Sequence, residues 1–237
     1  MAAVSTLVDR IYRDFLNKPD DLSAFSRLDG AMSDTTGTTL TYESGLFSSE
    51  EENLLGNGAL VEVDQELMLV TAANTSTRTL TVSRGYAGTT AATHADNTNV
   101  FINPTFPRKS VFDAVADNIV RLYPTLYNVT TTNVTSGSTY AEVPASTVEV
   151  LTSYVQNASG EQYTSAGIEL LRDFPPSSTN TAVQFFNTSS GKTVHLVVKR
   201  KFVRPTSESV DLSTDCLISD EYEQIIMVGA VADIVGA

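Results

Sequence analysis

The stretch Phe106-Pro-Arg-Lys-Ser-Val-Phe-Asp-Ala-Val-Ala-Asp-Asn-Ile-Val-Arg-Leu-Tyr-Pro124 constrains the fold more than any other part of the chain. Val111, Val115, Ile119 and Leu122 recur at helical spacing, with Phe112, Ala116, Val120 and Tyr123 on the adjoining rows. An apolar arc this wide predicts a largely buried helix over 110–123. Ser110 is the expected N-cap, Asp113 the acid of the first turn, and Pro124 the stop. Whatever else the chain forms must cover this helix.

Two further helices are predicted. Over 5–16, Leu7, Val8, Ile11, Tyr12, Phe15 and Leu16 share one face, with Asp9, Arg10, Arg13 and Asp14 opposite and Lys18-Pro19-Asp20-Asp21 as the stop. Over 219–235, Asp220 and Glu221 sit in the first turn, and from Ile225 onward only Asp233 is charged. That helix needs cover from its own chain or from a neighbour. Ser48 to Gly56 reads as a short helical turn, with Ser48 and Glu51 spaced as a capping box. Its acids Glu50, Glu51 and Glu52 suit a solvated first turn, or a contact with a basic partner.

Between the helices the text is β. A strand is expected at Thr38 to Tyr42, then Ala59 to Val63, Glu66 to Thr71 and Thr79 to Ser83, with short polar joints that predict an antiparallel meander. A long polar loop, Arg84 to Asn99, leads to a return strand at Val100 to Ile102. It is expected to reach out from the sheet and to gain ordering contacts only from a partner. Beyond Pro124, seven runs of alternating β text predict a sandwich: Val129–Val134, Thr139–Val143, Thr147–Val155, Glu161–Thr164, Ile168–Asp173, Ala182–Phe186 and Thr193–Val203. The expected fold class is α+β. A three-helix platform (1–124 and 205–237) carries an inserted meander at about 38–103 and a β-sandwich domain over 125–204.

Composition narrows function. The formal charge is -13, divided between residues 1–124 (16 acids, 9 bases) and 125–237 (12 acids, 6 bases), so neither half is a basic nucleic-acid domain. No run of ~20 apolar residues is present to span a membrane, and no signal segment is read at the start, so a soluble product of a cytoplasm is expected. The single Cys216, beside Leu217 and Ile218, reads as a buried thiol. His94 and His195 have no second imidazole or cysteine at ligand spacing, and neither a phosphate-cradling glycine loop nor a nucleophile elbow occurs. No enzyme activity, cofactor or metal is expected. Lys199, Arg200, Lys201 and Arg204 stand out against the acidic background. They either pair with acids such as Glu50 to Glu52 on a neighbouring subunit or guard an exposed sheet edge.

The segment Leu80-Thr-Val-Ser-Arg84-Gly85-Tyr86-Ala-Gly88-Thr-Thr-Ala-Ala-Thr-His94, followed by Asn97-Thr-Asn-Val100, resembles a strand-and-loop pattern of tailed-bacteriophage virion proteins. The central helix and the closing Asp220-Glu221-Tyr222 helix resemble elements of head-to-tail connector proteins, the adaptors of the neck. That resemblance implies a structural virion protein in a homo-oligomeric ring, usually dodecameric, with the portal above and a further neck or tail protein below. DNA would pass through without sequence-specific binding. Arg84, Tyr86 and His94 are then expected at an assembly interface. A tail or baseplate protein whose sandwich binds a carbohydrate or host-surface ligand is the alternative.

Overall fold

A computed structural model describes residues 3–16, 25–44, 49–136, 140–156, 163–174, 176–179, 181–186 and 191–236. The chain is mixed α and β, with antiparallel sheets, and divides into two compact units. One comprises Val4–Val115 with Gln224–Ala237, the other Met1–Ala3 with Ala116–Glu223, and the boundary falls within the central helix.

The first unit begins with α1 (Val4–Ile11), which buries Val4, Leu7, Val8 and Ile11 and continues as one π-helical segment, Tyr12–Leu16. The wider turn shifts the register, so Phe15 leaves the apolar face assigned to it and is 40% exposed. Six strands follow: β1 (Phe25–Arg27), β2 (Thr39–Thr41), β3 (Leu60–Val63), β4 (Glu66–Asn74), β5 (Thr79–Ser83) and β6 (Asn99–Ile102), with the short α2 (Ser49–Leu54) between β2 and β3. The β3–β4 joint is the two-residue turn Asp64-Gln65, where Asp64 takes φ 53° as a tight hairpin requires.

The meander β3-β4-β5 is the centre of a larger sheet ordered β1-β6-β3-β4-β5-β2. Its two outer strands also meet. Leu28 bridges Tyr42, Asp29 N donates to Thr41 O (2.9 Å) and Glu43 N to Arg27 O (2.8 Å). The sheet therefore closes into a barrel, filled by Leu28, Leu40, Tyr42, Val61, Met68, Leu80 and their neighbours. Closure removes the free edges of the sheet. Polar text from Leu22 onward gave no sign of β1, which is only three residues long and closes the ring.

Helix α3 (Arg108–Arg121) starts two residues before the expected cap. Ser110 is not the N-cap: Pro107 O accepts from Ser110 N and Val111 N, and the buried Glu62 of β3 accepts from Arg108 N (2.8 Å). A carboxylate 46 residues away in sequence thus serves the positive end of the helix, and no local pattern announces it. Asp113 is one turn further in and pairs with Lys109. Val111, Phe112, Val115, Ala116 and Ile119 are buried as their spacing predicts. Arg108 Nη1 lies 2.8 Å from Asp9 Oδ1, and the Tyr12 hydroxyl donates to Phe106 O (2.8 Å), which ties α1 and its extension to the start of α3.

The second unit carries β7 (Asn128–Thr135), β8 (Tyr140–Glu142), β9 (Thr147–Gln156), β10 (Tyr163–Ser165), β11 (Gly167–Arg172), β12 (Thr181–Phe186) and β13 (Thr193–Arg200). They form two antiparallel sheets, β10-β9-β13-β7 and β11-β12-β8. Val134, Val194, Leu196 and Val198 from the first sheet and Val183 from the second share one hydrophobic cluster. After a 3-10 turn at Asp220–Tyr222 comes α4 (Glu223–Val235). The helix stop at Lys18–Asp21, the cap at Ser48 and the turns at 157–160 and 189–190 lie outside the described residues.

Candidate functional site

The residues of the Arg84–His94 motif converge on one carboxylate. Glu66 opens β4 on the same face as Met68 and Val70, which point into the barrel, and Arg84 continues the inward row of Leu80 and Val82 from β5. Glu66 is 1% exposed. A charge placed so deep requires partners, and it has them. Glu66 Oε1 accepts from Arg84 Nε (2.7 Å) and Gly85 N (2.9 Å), and Oε2 from Arg84 Nη2 (2.8 Å) and Ala92 N (3.0 Å). His94 Nε2 is 2.9 Å from Oε2, and its Nδ1 is 2.8 Å from Oδ2 of the exposed Asp64.

Burial alone would raise the Glu66 carboxyl. Hydrogen bonds from Arg84, the Ala92 amide, His94 and the Gly85 amide outweigh it and hold the group down to about 2. The guanidinium does more than pair, since Arg84 Nη1 donates to Gly37 O (3.0 Å) and Nη2 to Ala92 O. One ion pair therefore joins β4, the loop at 34–37 and the loop at 84–94. The Met32 and His94 backbones add two bonds (2.9 and 3.0 Å).

The expectation that this loop reaches away from the sheet and is ordered only by a partner fails. Its own barrel orders it. Besides the Glu66 contacts, Thr89 Oγ1 accepts from Leu67 N (3.1 Å) and lies 2.8 Å from Tyr86 O. Gly85 has φ 62°, and a Cβ there would stand 3.1 Å from Thr89 O, so the turn requires glycine. At the tip, Tyr86 is 41% exposed on the turn Tyr86–Gly88, where Ala87 takes the left-handed φ of 52°. Arg84 and His94 thus sit at the base of the loop and Tyr86 near its tip, and the base binds this chain.

The other candidate residues lie elsewhere. Lys199 Nζ stands 4.0 Å from the centre of the Tyr127 ring, Arg200 Nε donates to Ser146 Oγ (2.8 Å), Lys201 is exposed, and Arg204 pairs with Asp117 (3.1 Å). Strand β13 runs between β9 and β7, so Lys199 and Arg200 do not guard a sheet edge. Arg200 is half-buried, and burial lowers its guanidinium. Glu50, Glu51 and Glu52 fall in α2 of the first unit, where the side chains of residues 50 and 51 lie outside the described residues. His195 lies on β13, stacks on Tyr154 at 5.0 Å, and its Nδ1 contacts Asn133 Oδ1 (2.7 Å). Among the described residues, no group of three or more His, Cys, Asp or Glu side chains is arranged to hold a metal ion.

Sequence reasoning missed Glu66 itself. The available signal was parity: an acid on the inward row of a strand whose next inward residues are Met68 and Val70 must meet a buried cation. The chain matches no protein-family model, and none of the curated proteins with which it was compared matches it.

Proposed function

We propose that this protein is a structural, non-catalytic subunit of a tailed-bacteriophage virion, a head-to-tail connector (adaptor) that forms a homo-oligomeric, dodecameric ring below the portal. In this reading α1, α3 and α4 form the platform that builds the ring, and the sheets over 125–204 are an inserted β-sandwich. A further neck or tail protein binds beneath, and DNA crosses an acidic channel without base-specific contact, in keeping with a formal charge of -13. The resemblance of Arg84–His94 to virion proteins motivates the assignment. The observation that carries it is α4.

That helix buries Ile226, Met227 and Ala230 and leaves Ile225, Val228 and Val235 exposed at 53%, 51% and 65%. With Ala232 these residues stand at i, i+3, i+7 and i+10, one continuous apolar row. A row of this kind is characteristic of a face covered by another subunit. The clamped loop offers Tyr86 as a preformed contact beside it in function, held in place without an ordering cost at assembly.

Light scattering and electron microscopy of the purified protein test this. A ring is expected, and Ile225→Glu with Val228→Glu should yield a monomer whose melting temperature stays within a few degrees of the parent. A parent chain that remains monomeric at every concentration and is absent from the neck of labelled particles would refute the reading.

A further inference from the structure

In the second unit, β9 and β11 each have a side without a strand partner among the described residues. Strand β13 pairs one side of β9 along Thr147–Val155, whereas β10 pairs the other side only at Tyr154–Gln156. Strand β11 pairs β12 alone. Residues 148–152 of β9 therefore present an open edge, and so does β11 along its length. Two adjoining hollows, of about 370 and 390 Å³, lie there and share Val148 and Arg172.

The first hollow is lined by Val148, Val150, Ile168 and Leu170, alternate residues of two strands, together with the oppositely charged Glu149 and Arg172, and Val150, Ile168 and Leu170 pack against the core. The second adds Tyr123, Thr147, Thr179, Thr181, Asp173 and Lys201, so the shared Arg172 and Lys201 set two cations there against one acid. In a chain of net charge -13 this end of the groove is net positive. Arg172 Nη2 donates to Val148 O, a carbonyl of the open edge, so a side chain occupies a position that an added strand would fill. The groove has the three components of strand-addition sites: unpaired backbone, pockets for alternate apolar side chains and a charged end.

We propose that this groove binds an extended peptide segment of another protein, apolar at alternate positions and acidic at its C-terminal end. The polarity follows from the fold. Arg172 and Lys201 lie at the start of β9, so a strand added antiparallel to β9 ends beside them, and antiparallel pairing is the more stable per residue. Charge complementarity selects the acidic end: carboxylates there meet a guanidinium and an ammonium.

The test uses the full chain and fluorescein-labelled, C-terminally amidated octapeptides in an anisotropy titration. SVTITVDE should bind at least about tenfold more tightly than SVTITVKK, as expected for charge-assisted hydrogen bonds. The double variant Arg172→Glu with Lys201→Glu should reverse that preference. Both side chains are exposed, so the variant should keep the parent's circular dichroism and melting temperature. N-methylation of one alternate set of peptide residues should abolish binding, and of the other set should change it only about threefold, the signature of one-sided strand pairing. Equal binding of the two peptides, insensitivity to both methylation patterns, or no saturation in the millimolar range overturns the proposal. A concentration-dependent rise in mass that the double variant abolishes would place a second copy in the groove, which overturns the assignment to a separate partner. Ring formation through α4 is unaffected by these variants, so this outcome is independent of the connector reading.

Discussion

Replacing Glu66 by glutamine preserves the side chain's shape and removes the charge around which the 34–37 and 84–94 loops are tied. Two contributions set the magnitude. One amide NH2 must face donors, either Arg84 Nη2, Ala92 N and His94 Nε2 or Arg84 Nε and Gly85 N, and Arg84, itself 6% exposed in its side chain, is left buried without its counter-ion. Loss of one member of a buried pair costs about 3–5 kcal/mol. Independently, a carboxyl lowered from 4.5 to about 2 on folding contributes about 3 kcal/mol at neutral pH. The two agree on a loss of about 3 kcal/mol. The folded-state value is depressed, so the contribution is complete above the ordinary value of 4.5 and disappears as the pH falls toward 2. Urea denaturation of parent and Glu66→Gln, read by far-ultraviolet circular dichroism at pH 7, 5 and 2.5, should give a large, constant difference at the first two pH values and a much smaller one at the third. Amide exchange at Gly85 and Ala92 should quicken in the variant at pH 7. A difference below about 1 kcal/mol at pH 7, or one of equal size at pH 2.5, would refute the clamp as the organiser of this region.

Thr89→Val removes the hydroxyl that takes the Leu67 amide and should cost about 1–2 kcal/mol, seen as a lower urea midpoint with an unchanged slope. Asp211 is held down to about 2, chiefly by the Thr214 amide and the Ser213 hydroxyl. Asp211→Ala should therefore speed amide exchange at Ser213 and Thr214, and in the parent that protection should fade as the pH drops from the ordinary carboxylate range toward 2. Cys216 is buried, and burial with Asp215 and Asp211 pushes its thiol up to about 11. Alkylation at pH 8 should be negligible in the folded protein and complete in denaturant, and rapid labelling of the native chain would contradict that burial.

Features that depend on neighbours in sequence were readable from the sequence. The spacing of Val111, Val115 and Ile119 marked α3, the joint at Asp64-Gln65 marked the β3–β4 hairpin, and alternation marked β7 to β13 to within a few residues. What depended on distant partners was not readable. Glu62 sets the start of α3 from across the unit, and the π-helical segment at Tyr12–Leu16 turns Phe15 outward without a compositional signal. The loop at 84–94 looked unanchored because its residues are small and polar. Its anchors are backbone amides and one glutamate that precedes it by nearly twenty residues, and amides carry no sequence signature.

Closure of the barrel sets an order of events in folding. The hairpins β3-β4 and β4-β5 join residues close in sequence and can form early, but β1 pairs with β6 through Phe25 and Phe101, and its bridge to β2 completes the circle. Contacts between such distant residues form late, after the loop-closure entropy has been met. Until then Glu66 and Arg84 lack the walls that bury them, and a half-built barrel exposes both the pair and the apolar interior. Partly closed states are thereby penalised twice, so the barrel should open as one cooperative unit, with the 34–37 and 84–94 loops exchanging their amides together.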